Sequence, residues 1–193
     1  ARAICLATAV AIDMSKATGE KKWITRAALL TPMAKAFGTE TGMEISDLGI
    51  QIHGGMGFVE ETGAAQYWRD VRVTSIYEGT NAIQAIDLVS RKLMDGGDAA
   101  FELINEINDL CANTPQSLNN LSNEVKLAVE ALTNATKWML SQDSLNSRLA
   151  GATPYLEAFS LVLGAFFHLK SAVADNGSGN YYKLASFYIN HIL

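Results

Sequence analysis

KWITRAALLTPMAKAFGTETGMEISDLGIQIHGGMGF, residues 22–58, decides the fold class of this chain. Its apolar residues Trp23, Ala27, Leu30, Ala34 and Phe37 recur at spacings of four, three, four and three, which lines them up on one face of a helix. A helix from about Lys22 to Leu48 is predicted. Pro32 lies inside it, so a kink is expected there, or a restart with Thr31 as the cap. Beyond Leu48 the glycines set in, and Gln51-Ile52-His53-Gly54-Gly55-Met56-Gly57-Phe58 reads as a glycine-rich loop.

Working outward, the stretch before it reads as an amphipathic helix that stops near Gly19, ahead of the polar run Glu20-Lys21-Lys22. Residues 49–79 hold six glycines and are expected to form loop, a short helix over Ala64 to Asp70, then loop again. Val71 to Val73 and Ser75 to Tyr77 are short β-rich snatches within that region. A helix over Thr80 to Leu93 follows, then a glycine hinge at Gly96-Gly97 and a helix over Ala99 to Ala112. Thr114-Pro115 signals another start, with a capping residue and proline at the first helical position. Leu118, Leu121, Val125, Ala128, Leu132, Ala135 and Met139 give that helix a packing seam. Thr153-Pro154 repeats the signal for a helix reaching Ala174, Asn176 to Gly179 reads as a tight loop, and a last helix closes the sequence. The expectation is an all-α protein: an up-and-down helical bundle over 1–95, joined by the hinge to a second helical bundle unit over 98–193. Both ends read as interrupted patterns, since the chain starts within a helical repeat and stops at Asn190-His191-Ile192-Leu193 without a terminator.

Bulk properties exclude several classes. The 193 residues carry a net charge of −5 without a basic stripe, so nucleic acid and anionic lipid are not expected partners. Ala1 to Ala17 lacks the order of a secretory signal, and the longest apolar run, Ala158 to Phe167, is too short to span a bilayer. Cys5 and Cys111 lie far apart in apolar helical stretches and read as two reduced core thiols, which suits a soluble, cytoplasmic protein. No histidine has a second ligand at metal spacing, so no metal is expected; His168 and His191 read as packing or surface residues.

Two places could carry chemistry. The glycine-rich loop at 51–58 would let backbone N–H groups approach a phosphate, but that signal alone is weak and a plain connection is the simpler reading. In Tyr77-Glu78-Gly79-Thr80-Asn81 an acid sits at the last loop residue before a helix that Thr80 can cap. Glu78 is then either an acid favoured by the helix dipole or a general base facing a cavity. Arg69-Asp70 reads as a local ion pair holding the loop.

These elements, with Ala34-Lys35-Ala36-Phe37, occur in one order over Ala1 to Leu93 that resembles the carboxy-terminal helical domain of acyl-CoA dehydrogenases. Residues 98–193 resemble the extra carboxy-terminal helical domain of a subgroup similar to methylmercaptopropionyl-CoA dehydrogenase. The resemblance implies an oxidoreductase of fatty acid metabolism, with FAD as cofactor, acyl-CoA as substrate and a trans-2-enoyl-CoA as product. It implies that Glu78 is the catalytic base and that Gly79 leaves room for the thioester. Thr80 and Asn81 match positions that contact FAD. Gln51, Ile52, His53, Gly54 and Gly55 match a loop that touches the FAD of a neighbouring subunit, so a homodimer or higher oligomer is implied. Ala82 departs from a pattern that often has Glu or Gln. Electron-transfer flavoprotein is the implied acceptor; an acyl-CoA oxidase or a catalytically idle binding relative shares the same pattern. The family's other domains are missing from this sequence, so residues 1–193 alone are expected to be inactive.

Overall fold

The computed structural model describes residues 1–175 and 179–193. Asn176, Gly177 and Ser178 of the expected tight loop lie outside the described residues. The chain runs α1 (Arg2–Thr18), α2 (Lys21–His53), α3 (Gly55–Phe58), α4 (Ala64–Arg72), α5 (Asn81–Asp87), α6 (Asp98–Ala112), α7 (Asn119–Ser141), α8 (Leu145–Ala150), α9 (Ala152–Ala174) and α10 (Asn180–His191). No strand occurs among the described residues. The all-α reading holds.

α1 stops where glycine permits it: Gly19 takes φ 68° and its N–H returns to the Ser15 carbonyl. A two-residue turn then sends α2 back along α1. α2 also packs on α4 and α5, while α9 packs on α2, α5, α7 and α10. Both halves of the chain supply one apolar cluster, with Met33, Leu88, Ile107, Phe159 and Leu163 almost wholly buried in it. Arg26 to Glu106 at 2.7 Å and Lys22 to Glu102 at 3.5 Å tie α2 to α6 above that core.

α9 is long and apolar enough to cross a membrane by length and composition, with mean hydropathy 1.4 in its most apolar window. Here that apolarity faces protein: Tyr155, Phe159, Leu163, Phe166 and Leu169 are all buried. The expected seam of α7 is the observed one, with Leu121, Val125, Leu132 and Met139 buried and Ala128 and Ala135 packed against them.

Several expectations give way. α2 passes through Pro32 without ending, and Thr31 does not cap; its hydroxyl donates to the Ala27 carbonyl at 2.7 Å. Proline removes one helical N–H, whereas breaking the helix here would expose Leu29, Leu30 and Met33, all buried. Gln51 to His53 are the last turn of α2 and not a loop, and Gly55–Phe58 is helical again. Gly54 alone makes the corner, at φ 61° and ψ −142°, a conformation closed to a residue with Cβ. The corner is tight enough that a Cβ on Gly57 would lie 2.2 Å from the Ile50 carbonyl oxygen.

Val71 and Arg72 finish α4, and Val73–Ser75 forms a 3₁₀ turn, because no strand among the described residues is there to satisfy their β tendency. α5 gives way to a π-helical turn over Leu88–Lys92. The Thr114 hydroxyl donates back to the Leu110 carbonyl at 2.8 Å and does not cap; a 3₁₀ turn over Gln116–Leu118 follows Pro115 and leads into α7 at Asn119. Cys5 is exposed and only Cys111 is a core thiol. The buried stripe of α1 is Ile4, Thr8 and Ala11, and Cys5 falls one position off it.

Candidate functional site

The loop between the 3₁₀ turn and α5 has unusual backbone. Glu78, at φ 53°, is the one non-glycine residue at positive φ among the described residues, and Gly79 follows at φ 88°. Two successive left-handed residues turn their peptide groups away from any helical ladder. The loop is therefore held by side chains. Gln84 Nε2 of α5 donates to the Glu78 carbonyl at 3.3 Å, and Lys35 Nζ of α2 donates to the Gly79 carbonyl at 2.7 Å. Thr80 caps α5 as its sequence foretold, its hydroxyl accepting from the Ile83 N–H at 3.4 Å.

Asn81 turns inward. Its Oδ1 accepts from Lys35 Nζ at 2.8 Å and from the Thr39 hydroxyl at 3.1 Å. Its Nδ2 donates to Glu40 Oε1 at 2.5 Å. The Lys35 ammonium is held below the ordinary lysine pKa by desolvation, opposed by the negative charges of Glu40 and Glu78. Above this network Glu78 is exposed, with its carboxylate free of any salt bridge and its N–H unpaired among the described residues. A cavity of about 360 Å³ beside Asn81 is walled by Phe37 and Glu44 of α2, Ala85 of α5 and Leu156 and Glu157 of α9.

The second candidate group lies elsewhere. Gln51, Ile52, His53, Gly54 and Gly55 form an exposed corner at the far end of α2, and Ile52 is 83% exposed. His53 Nδ1 is hydrogen-bonded at 2.8 Å to the Gly49 carbonyl of its own helix. From Lys35 to Gln51 is 16 residues of helix, roughly 24 Å at 1.5 Å per residue. Within one chain, then, Glu78 to Asn81 come together on the middle of α2, and the corner stays apart from them. Arg69 does not pair with Asp70: it reaches Glu60 Oε1 at 3.1 Å and Gln66 Oε1 at 2.9 Å, while Asp70 accepts from Gln66. Neighbouring residues in a helix point about 100° apart, so the partner comes from the preceding turn instead.

Sequence reasoning does not reach Lys35, Thr39 and Gln84 as holders of this loop. The one cue for Lys35 is a charge set within the apolar run Met33-Ala34-Lys35-Ala36-Phe37, and its partners lie 44 and 46 residues away.

Residues 1–94 match the family model described as acyl-CoA dehydrogenase, C-terminal domain. Residues 103–193 match that of the acetyl-CoA dehydrogenase C-terminal like family. Among relatives, 3-methylmercaptopropionyl-CoA dehydrogenase of Ruegeria pomeroyi is 48% identical over 103 residues, 51% of this chain and 18% of that one. Butyryl-CoA dehydrogenase of Syntrophomonas wolfei is 35% identical over 122 residues, 60% of this chain and 20% of that one. The chain thus spans about a fifth of the length of these relatives. The crystal structure of Caenorhabditis elegans ACDH-11 in complex with C11-CoA superposes on 96% of this chain and 32% of that one, with a TM-score of 0.81 at 18% identity, a likeness of fold. Two family models in series, relatives named as dehydrogenases and a shared helical fold give one conclusion: the chain belongs to the acyl-CoA dehydrogenase family, of which it carries the carboxy-terminal helical domains.

Proposed function

We propose that this chain is the carboxy-terminal part of an FAD-dependent acyl-CoA dehydrogenase that forms trans-2-enoyl-CoA from acyl-CoA, with Glu78 as the base. The observation that carries the reading is the backbone of Glu78. A carboxylate on a left-handed, exposed, side-chain-pinned loop is costly to keep for structure alone, and such strain clusters at functional sites.

A flavin is compatible with the residues present, unevenly. The corner from Gln51 to Gly55 is exposed, and nothing lies within 4 Å of where a Cβ would stand on Gly54 or Gly55, so a cofactor can approach its backbone. That corner would hold the cofactor of a neighbouring subunit, which makes the working enzyme a dimer at least. The side chains of Thr80 and Asn81 are already engaged, leaving their backbone N–H groups to face a bound anion. Flavin, when bound, supplies the acceptor for the β-hydride and passes the electrons on, to electron-transfer flavoprotein in this reading.

Glu78 takes the α-proton. A thioester α-proton is far too weakly acidic for a carboxylate in water, so the developing enolate oxygen needs a donor. The Glu78 N–H, unpaired among the described residues, is free to be one. Gly79 leaves the thioester room beside it. Substrate binding excludes water from around the carboxylate.

The test is Glu78→Gln in the full-length enzyme, which keeps the side chain's size and removes the base. Flavin content should be unchanged and turnover should fall by about 10²–10⁴-fold. Near-normal turnover would mean that the base lies elsewhere. Residues 1–193 expressed alone should be colourless and inactive; stoichiometric flavin in that preparation would contradict the need for the rest of the protein.

A further inference from the structure

We propose that Lys35 is a positioning residue for this reaction, fixing the loop that presents Glu78 by gripping the Gly79 carbonyl and Asn81 together. The inference rests on the reading of Glu78 as the base.

Its warrant is geometric. Lys35 stands in the middle of α2, a continuous helix of 33 residues, and its ammonium donates at 2.7 Å to the Gly79 carbonyl and at 2.8 Å to Asn81 Oδ1. Gly79 is the residue after the base, and Asn81 is the first residue of α5. One cation therefore straddles the junction of loop and helix. Lysine suits this place because an ammonium has three donors and no acceptor, so it can hold two carbonyl-type oxygens at once. A neutral side chain of similar length would hold neither as firmly, since hydrogen bonds from a charged donor are the stronger kind.

The contact also fixes what Asn81 does. An ammonium can face only the oxygen of an amide, so Lys35 sets Asn81 with Oδ1 inward, and Nδ2 is left to meet Glu40 and the Thr39 hydroxyl. Thr39 then bridges the same amide from the next turn of α2. The start of α5 is keyed to α2 at one rotational setting.

The loop has little else to hold it. The Glu78 carbonyl accepts only from the Gln84 side chain, and the Gly79 carbonyl only from Lys35, among the described residues. With both residues at positive φ, the peptide group joining Gly79 to Thr80 can rotate once its carbonyl is released. Such a rotation lets Glu78 as a whole shift relative to α2 and α5. Base and enolate donor belong to the same residue, so both lose register with the substrate together. Burial already disfavours the Lys35 charge, and the facing carboxylates Glu40 and Glu78 offset this.

The experiment uses the full-length holoenzyme and four variants: Lys35→Met, Lys35→Gln, Glu78→Gln and the Lys35→Met/Glu78→Gln double. Methionine keeps the aliphatic stem; glutamine is the polar alternative should methionine at this half-buried position impair folding. Turnover, KM and hydrogen exchange at the Ile83 and Gln84 amides are followed for each. The expected result is a fall in kcat of about tenfold to a hundredfold with KM within about threefold of the parent, the size of effect that an ångström of misplacement produces. Exchange at the Ile83 and Gln84 amides, which bond to Thr80, should quicken in step, and flavin content should stay constant. The double variant should be no slower than Glu78→Gln, because a residue acting through the base has nothing left to position.

The two readings fail separately. An inactive Glu78→Gln beside Lys35 variants of normal kcat and unchanged exchange overturns the positioning role and leaves the base standing. A double variant slower than Glu78→Gln by the full Lys35 factor also overturns it, since Lys35 then acts independently of the base. A Glu78→Gln enzyme of normal turnover overturns the base, and the positioning role with it.

Discussion

The loop that carries Glu78 and the helix pair α7–α9 treat polar side chains in opposite ways. In the pair, hydroxyls fold back on their own helices: Thr133 to Val129, Thr136 to Leu132, Ser160 to Leu156 and Ser171 to Phe167, all at 2.7–2.8 Å and four residues apart. Each bonds locally, and apart from the Thr136–Tyr155 hydroxyl pair the surfaces that meet are apolar. Around Glu78 the bonds run between elements, from Lys35 and Thr39 to Gly79 and Asn81, across 42 to 46 residues. Local satisfaction gives a dry seam whose strength is packing. Long-range satisfaction fixes one geometry and can be undone by removing one group. Substitutions in the seam should therefore change stability with little effect on turnover per folded molecule, and substitutions at the loop should do the reverse.

Phe159→Ala should break the seam most severely. Phe159 is wholly buried and meets Tyr155 edge-on, with ring centroids 6.0 Å apart. Emptying that site should cost about 3–5 kcal/mol. Thermal melts of the full-length protein should show a Tm lower by several degrees or an early separate transition. The protein that remains folded should turn over at the parental rate. A collapse of kcat without loss of Tm would mean that α9 shapes the site directly, and the contrast between the regions would not stand.

How far the sequence carries depends on how local each cause is. The stop at Gly19, the seam of α7 and the Thr80 cap ahead of α5 were legible because each depends on neighbours within about a turn. Two Thr-Pro pairs show the limit. Thr153-Pro154 falls in the first turn of α9, although the N-cap is Gly151 and Thr153 does not cap. Thr114-Pro115 looks the same, but the Thr114 hydroxyl bonds backward to Leu110, and the next α-helix waits until Asn119. The end of α2 was placed too early because a single dihedral at Gly54 makes the corner, and composition records many glycines without saying which one turns. The Glu78 loop could be singled out as a candidate from its residues. Its restraint by Lys35 could not, because the partners meet only after α2 and α5 have packed.

Tyr155 offers a smaller and reversible test of the seam. Its hydroxyl lies 2.9 Å from the Thr136 hydroxyl, and burial pushes its pKa up to about 12, with the Thr136 bond pulling the other way. A phenol with its pKa raised in the folded state keeps its full contribution below the unfolded value of about 10. That contribution is lost as pH rises from there toward 12, because ionisation favours the unfolded chain. Tyr188, pushed up to about 12 by burial, adds to the same slope. Urea midpoints should fall more steeply above pH 10 in the parent than in Tyr155→Phe. At neutral pH that variant should lose about 1 kcal/mol for the missing hydrogen bond. Equal slopes in the two proteins would mean that the hydroxyl reaches water.

Glu78→Gly should have the smallest effect on stability, and its direction is informative. Glutamate at φ 53° carries a steric cost of about 1–2 kcal/mol that glycine does not have. Glycine also gains freedom in the unfolded chain, worth about 0.5–1 kcal/mol, which offsets much of the relief. The exposed Glu78 side chain makes no hydrogen bond or salt bridge that its removal would forfeit among the described residues. The net change should therefore lie between nothing and a gain of about 1 kcal/mol, while turnover falls as far as in Glu78→Gln. Read by Tm and kcat together, that pairing would mark a residue kept against the preference of the fold for the sake of its carboxylate. A variant destabilised by 1 kcal/mol or more would mean instead that the side chain braces the loop, and the strain would lose its value as a pointer to chemistry.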